Sequence, residues 1–130
     1  NADLRYAELT SADLSNADLS NADLTHADLG DANLSNADLS NADLTDAYLH
    51  YADLSNANLY DADLSDARLR YAKLIDADLT SADLSNADLT DADLTGAVVL
   101  ASLTGVVWSS TICPDGTNSD DNGDTCVNNL

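Results

Sequence analysis

Asn36-Ala37-Asp38-Leu39-Ser40-Asn41-Ala42-Asp43-Leu44-Thr45 contains the same five-residue unit twice. The unit is Ala-(Asp/Asn)-Leu followed by two further residues, mostly polar. Read outward from this stretch, the unit scarcely varies. Leu stands at position 4 and at every fifth position through Leu94, nineteen times in succession. Ala keeps the same interval from Ala2 through Ala97. The residue between them is usually Asp or Asn, and the one after Leu is mostly Ser or Thr. Chance does not produce such a run. Self-similarity at a fixed period marks a repeat architecture.

A period of five fits neither regular element. At about 100° per residue a helix would turn about 500° per unit and scatter the Leu side chains around its surface. In a flat strand, at about 180° per residue, successive Leu would alternate faces. A continuous Leu and Ala core therefore requires the chain to bend once per unit and close into a coil. One coil cannot bury its own Leu, so stacking of coils supplies the core. The period alone does not say how many units close a coil.

The Ala-Asp-Leu-Ser-Asn type of unit resembles the pentapeptide-repeat family, over residues 1 to about 108. The resemblance implies an all-β fold, a right-handed quadrilateral β-helix (β-solenoid) with four units per turn. It also implies that the Leu and the Ala two before it point inward and the other three positions outward. Twenty residues per coil then follow from the resemblance. The inner columns become Leu4-Leu24-Leu44-Leu64-Leu84, Leu9-Leu29-Leu49-Leu69-Leu89, Leu14-Leu34-Leu54-Leu74-Leu94 and Leu19-Leu39-Leu59-Leu79-Val99. After Ala97 the phase slips by one residue, so Leu103 continues the first column and Trp108 the second. This gives about five coils and, at ~4.8 Å per coil, a rod about 25 Å long. Residues 1–108 form the expected repeat domain and 109–130 a turn-rich C-terminal cap.

The composition agrees with one ordered domain. Asp and Glu total 24 against four Lys and Arg, a formal charge of −20 over 130 residues. Such acidity with few aromatics is a signature of disorder. Here 45% of the residues are apolar and recur in strict order, which excludes it. An acidic surface repels nucleic acid and anionic membrane and favours cations or basic protein surfaces. No apolar run approaches the roughly 18–20 residues of a membrane span, and no signal peptide is recognisable. Neither direct nucleic-acid binding nor membrane insertion is expected. The repeat is already running at Asn1, without a cap. Either a segment has been removed there or that end meets a partner, a homodimer being one option.

The C-terminal end differs. Trp108, the only Trp, is expected to lie over the last coil. Cys113 and Cys126 bracket a short polar loop with little core of its own. A disulfide between them is expected, contributing on the order of 3 kcal/mol for so short a loop. Two free thiols or a metal pair are the alternatives, the latter disfavoured because no His adjoins them. A disulfide implies an oxidising, extracytoplasmic compartment: periplasm, lumen or exterior.

Enzymatic chemistry finds no support. His26 and His50 are the only His, and the many Ser are repeat positions with the same neighbours. No nucleophile has a base and an orienting group. No glycine-rich phosphate loop is present, and a Leu and Ala core leaves no room for a substrate. No catalytic residue and no cofactor is therefore expected, apart from calcium as an option.

Three outer features remain. The position before each core Leu forms acidic columns, of which Asp3, Asp23, Asp43, Asp63 and Asp83 make the longest. Like charges one strand apart cost stability unless donors or ions offset them. The plain reading is a solubilising surface. Some members of the family act as DNA mimics and bind type II topoisomerases, and this rod is similar to theirs in charge. They are longer and cytoplasmic, however, which a disulfide-bearing chain would not be. The second feature breaks the acidic pattern. In the twenty-residue arrangement Tyr48 lies beside Arg68, His50 beside Arg70 and Tyr51 beside Tyr71, with Lys73 on the adjoining face. Three of the four basic residues gather there, and Tyr and Arg are enriched in binding hot spots. The competing reading is that Arg68 and Arg70 merely neutralise Asp28, Asp88 or Asp91 and that the Tyr rings stack as ordinary cross-strand pairs. The third feature is Asn118, Asp120 and Asn122 followed by Gly123, the first half of a calcium-loop pattern. Asn replaces the usual first Asp, and Asn129 stands where the bidentate Glu belongs. A turn-rich cap accounts for the same residues.

The sequence thus points to a non-enzymatic structural or protein-interaction module outside the cytoplasm. An acidic DNA-mimic regulator of a topoisomerase-type enzyme and a calcium-dependent surface element are the rivals.

Overall fold

A computed structural model describes residues 2–127. The chain winds into a stack of coils joined by parallel bridges. Asp3 pairs with Asp23, Asp23 with Asp43, and so on at intervals of twenty residues up to the pairing of Asp78 with Val98. The bridges fall into four ladders. The first runs through Asp43 and Asp63, the second through Tyr48 and Arg68, the third through Asp53 and Lys73, and the fourth through Asn58 and Asp78. These ladders are the four faces of the rod, numbered in that order below.

Each face is a short extended segment and each corner a tight turn. The amide of Ala7 donates to the carbonyl of Leu4 at 3.0 Å, and the same three-residue link closes every regular corner. The third residue of the turn has positive φ, from Tyr6 at 58° through Asp91 at 58°. The residue before it does not, which makes these type II turns. Most corner residues are Asn or Asp, the non-glycine residues that tolerate this conformation best. The outer two positions of the unit are therefore set by backbone geometry.

Between corners the backbone is satisfied by the coils on either side. The amide of Leu44 donates to Asp63 at 2.7 Å, and the amide of Asp63 to Ala42 at 3.0 Å. The inward Leu and Ala form the core. Every Leu column position from Leu24 through Leu94 is inaccessible to solvent, whereas Leu4, Leu9 and Leu14 are partly buried. The core is filled mainly by these two residue types, with Val99, Trp108, Cys113 and Cys126 at its C-terminal end, and no cavity opens among the described residues.

The register changes once. Beyond Val98 the interval is nineteen, with Asp83 against Ser102, Asp88 against Val107 and Asp93 against Ile112. The residue missing is the corner itself, because no residue between Gly96 and Gly105 has positive φ. Leu103 and Trp108 follow Leu84 and Leu89 in their columns, and Cys113 follows Leu94. Ladder pairing runs on to Pro114, whose carbonyl accepts the amide of Gly96 at 2.8 Å. No helix among the described residues is long and apolar enough to cross a membrane.

Leu54 sits mid-column and fully buried. Leu54→Ala is expected to lower unfolding free energy in urea by about 2–5 kcal/mol, since the coils above and below cannot collapse into the gap. Ser55→Ala, one residue on and facing outward, should change it by no more than about 0.5 kcal/mol.

Candidate interaction surface and terminal cap

The acidic columns have a local structural role. In most units the carboxylate before the core Leu accepts the amide of the residue after it. Asp13 accepts from Ser15 at 3.1 Å, Asp53 from Ser55 at 3.1 Å and Asp83 from Ser85 at 2.9 Å. Asp63 takes both the amide and the hydroxyl of Ser65, at 2.9 and 2.6 Å. Asn33 and Asn58 do the same with a neutral oxygen. This amide lies at the corner and has no partner in the ladder, so the side chain is its acceptor. The bonds hold several carboxyls below the usual carboxylate range. Hydrogen bonds from Ser15, Ser20 and Ser85 lower Asp13, Asp18 and Asp83. Asp3 is held down at about 2, first by the side-chain hydrogen bond from Arg5. Arg5 also lies 3.4 Å from Asp23, and Asn58 donates to Asp38 at 3.1 Å. Donors thus offset part of the like-charge repulsion along the columns.

Tyr48, Arg68 and Lys73 occupy this capping position without a short acceptor. Among the described residues no side chain accepts the amides of His50, Arg70 or Ile75. A cap of this kind is worth about 1 kcal/mol, and three neighbouring units forgo it. In its place the Arg68 guanidinium lies 4.4 Å over the Tyr48 ring. Arg70 is 5.8 Å from the Tyr71 ring centroid. Tyr51 and Tyr71 stack at 4.7 Å with 4° between their planes. Both are corner residues with φ of 61°, a costly conformation for a large side chain. The other aromatic pair at corner positions, Tyr6 and His26, also stacks, at 5.0 Å. Stacking between coils offsets part of the cost.

The patch is exposed. Tyr48, Tyr51 and Tyr71 all present large side chains to solvent. Lys73 lies 3.6 Å from Asp53. That carboxyl is pulled upward by partial burial but held below its usual range by Ser55 and Lys73 together. No carboxylate among the described residues lies within 4.0 Å of Arg68 or Arg70. Neither arginine therefore forms a direct ion pair with Asp28, Asp88 or Asp91. Nothing links His50 directly to Arg70 beyond their place in adjacent coils.

At the other end the chain folds back onto the third face. Ile112 pairs antiparallel with Asn118, and a 3-10 helix spans Ser119–Asn122. Ser119 is buried, donates its hydroxyl to the Trp108 carbonyl and accepts the amide of Thr111. Trp108 is itself buried. Cys113 and Cys126 form a disulfide with Cα atoms 5.3 Å apart. The three residues with a calcium-loop spacing are engaged inside the cap. Asn118 accepts from the amide of Asp120, Asp120 accepts from Ser110, and Asn122 donates to Thr117 and to the Asn118 carbonyl. Asn129 lies outside the described residues.

Comparison with known proteins adds the following. Residues 1–31, 27–66 and 62–98 match the family model described as pentapeptide repeats, in 8 copies. Among solved structures the chain is similar to HetL, a pentapeptide repeat protein involved in heterocyst differentiation regulation from the cyanobacterium Nostoc sp. Identity is 33%, coverage is 90% of this chain and 66% of that one, and the TM-score is 0.57. It is also similar to the pentapeptide repeat protein Rfr23 from the cyanobacterium Cyanothece 51142. There identity is 37%, coverage 68% and 58%, and the TM-score 0.58. The chain thus spans less than two thirds of the length of each. No curated protein matches it in sequence.

The cap yields a pH prediction. Asp120 is lowered from 3.8, first by the backbone hydrogen bond from Ser110 and then by the Ser110 side chain. A depressed folded value stabilises above the unfolded value and loses that contribution as pH falls through the folded one. Asp120→Ala should therefore lower Tm at neutral pH. The gap between variant and parent should close as the pH is taken down past 3.8. Melting curves of both proteins from pH 7 to pH 2 would show a gap of constant size if the bond carried no weight.

Proposed function

Because the chain belongs to the pentapeptide-repeat family, we propose that it is a non-enzymatic protein-interaction module. Its rod is read as a right-handed quadrilateral β-helix of about five coils, a reading supported by the four parallel ladders at intervals of twenty residues. The outside of that rod is the working surface, and the Tyr48–Lys73 patch is its contact site. The observation that carries this reading is the loss of the backbone cap at Tyr48, Arg68 and Lys73. In most other units the outer positions serve the rod's own geometry, although Glu8 and Val98 also stand at capping positions without this bond. In the patch they give up a stabilising bond and expose two arginines without carboxylate partners within 4.0 Å among the described residues. Residues that do not serve the fold are the ones to assign to recognition.

The compartment follows from the cap. A disulfide persists where the surroundings are oxidising, which supports an extracytoplasmic place of action. That placement also disfavours a DNA-mimic acting on a cytoplasmic topoisomerase.

Two measurements test these proposals. Tyr51→Asn, Arg70→Thr and Tyr71→Asn, combined, return the patch to repeat-like residues. The triple variant should melt no lower than the parent, because Asn suits a positive-φ corner. It should also lose the partner that the parent captures from extracts of the source organism. Capture of that partner unchanged by the three substitutions would reject the patch. For the compartment, native protein should show no thiol reactive towards maleimide after denaturation. Two reactive thiols would overturn the extracytoplasmic assignment.

A further inference from the structure

The charges of the second face specify a partner chemistry, given the proposal above that this face is a contact surface at all. Its centre is cationic. Arg68 and Arg70 rest near tyrosine rings, are exposed, and have no carboxylate within 4.0 Å among the described residues. Its rim is anionic. In the same ladder Asp28 lies one coil before Tyr48, and Asp88 one coil after Arg68. The patch between these carboxylates spans two coils, about 10 Å along the rod, with both arginines in the second of them. The screening length at physiological salt is about 8 Å, so a ligand at the centre also feels the rim.

Three occupants fit poorly. A long polyanion laid along the rod would meet Asp28 and Asp88 as soon as it left the patch. A second copy of this chain, itself at −20, would set acidic columns against acidic columns. A neutral sugar needs an open ring face, but Tyr51 and Tyr71 lie 4.7 Å apart and 4° from parallel, each covering a face of the other. That closes one face of each ring, and the Arg70 guanidinium lies 5.8 Å from the centroid of Tyr71.

We propose that the patch takes a protein surface that is basic overall and carries one or two carboxylates at its centre. The acidic rim attracts and orients the basic surround. The guanidinium groups of Arg68 and Arg70 and the tyrosine hydroxyls receive the central carboxylates, guanidinium and carboxylate being suited to paired hydrogen bonds. A basic surface without the central acid leaves the arginines facing like charge, so selectivity comes from repulsion as well as attraction.

The test uses the intact, oxidised chain and two synthetic peptides measured by calorimetry. One has three lysines, two glutamates and three lysines; the other has glutamine in place of glutamate. Bulk attraction to an acidic rod favours the glutamine peptide, which has the higher positive charge. The proposal requires the reverse, with the glutamate peptide binding about tenfold tighter, the equivalent of about 1.4 kcal/mol. In the double variant Arg68→Asn, Arg70→Thr, which adopts residues found at equivalent repeat positions, the order should invert. Equal affinities, tighter binding of the glutamine peptide, no binding of either, or an unchanged preference in the variant would each overturn it. Capture of the natural partner by the parent but not by the Tyr51, Arg70, Tyr71 variant would still stand in that event, so the two proposals fail separately.

Discussion

The structure depends on one constraint: between its corners a coil has no backbone partners of its own and must take them from the coils beside it. The amide of Leu44 goes up to Asp63, and the amide of Asp63 comes down to Ala42. Pairing of this kind at every coil requires a fixed number of residues per turn of the chain. The Leu columns, the type II corners and the five-residue period are three expressions of that requirement. A Leu in the right place is buried only because the ladder holds the next one directly above it.

The same constraint explains much of the charge. At each corner one amide points away from the ladder, and at most of them Asp or Asn two residues earlier accepts it. Repeating that device around the rod, with little basic residue to balance it, produces a strongly acidic protein. The acidity is in large part a by-product of closing corners. This shifts attention from the columns, where the sequence repeats, to the few positions that abandon the cap. There the side chains are chosen for something other than the turn.

The Leu and Ala interval was sufficient to exclude helix and flat strand. The slip after Ala97 was visible as a change of phase, and Leu103 and Trp108 could be placed in their columns from it. The twenty-residue closure was not contained in the period and came only with the family resemblance. The Asn and Asp at the corners were equally visible, but their meaning lies in a backbone angle that a column of letters does not display. The continuation of the ladder to Ile112 and Pro114 was hidden because these residues share no letters with the unit, although their backbone pairs in the same way. Asn118, Asp120 and Asn122 have the spacing of half an ion-binding loop, and their side chains make hydrogen bonds within the cap at distances only a folded chain reveals. In the patch the sequence placed Tyr48 beside Arg68 and Tyr51 beside Tyr71 but could not show that the two arginines lack carboxylates within 4.0 Å among the described residues.

The four-sided ladder gives the chain a grammar of insertion. Twenty residues added between two coils would lengthen the rod and return every later side chain to its own face. Five residues added at the same point would preserve the Leu core and every corner, yet rotate all that follows by a quarter of a turn. An outward-facing Tyr or Arg would then look in a new direction while the fold stayed intact. Loss of a single corner residue, as between Val98 and Ser102, shortens one coil and leaves the sides aligned. Lineages of such a rod can therefore vary in length by whole coils without disturbing a contact face, or move that face to another side in a single five-residue step.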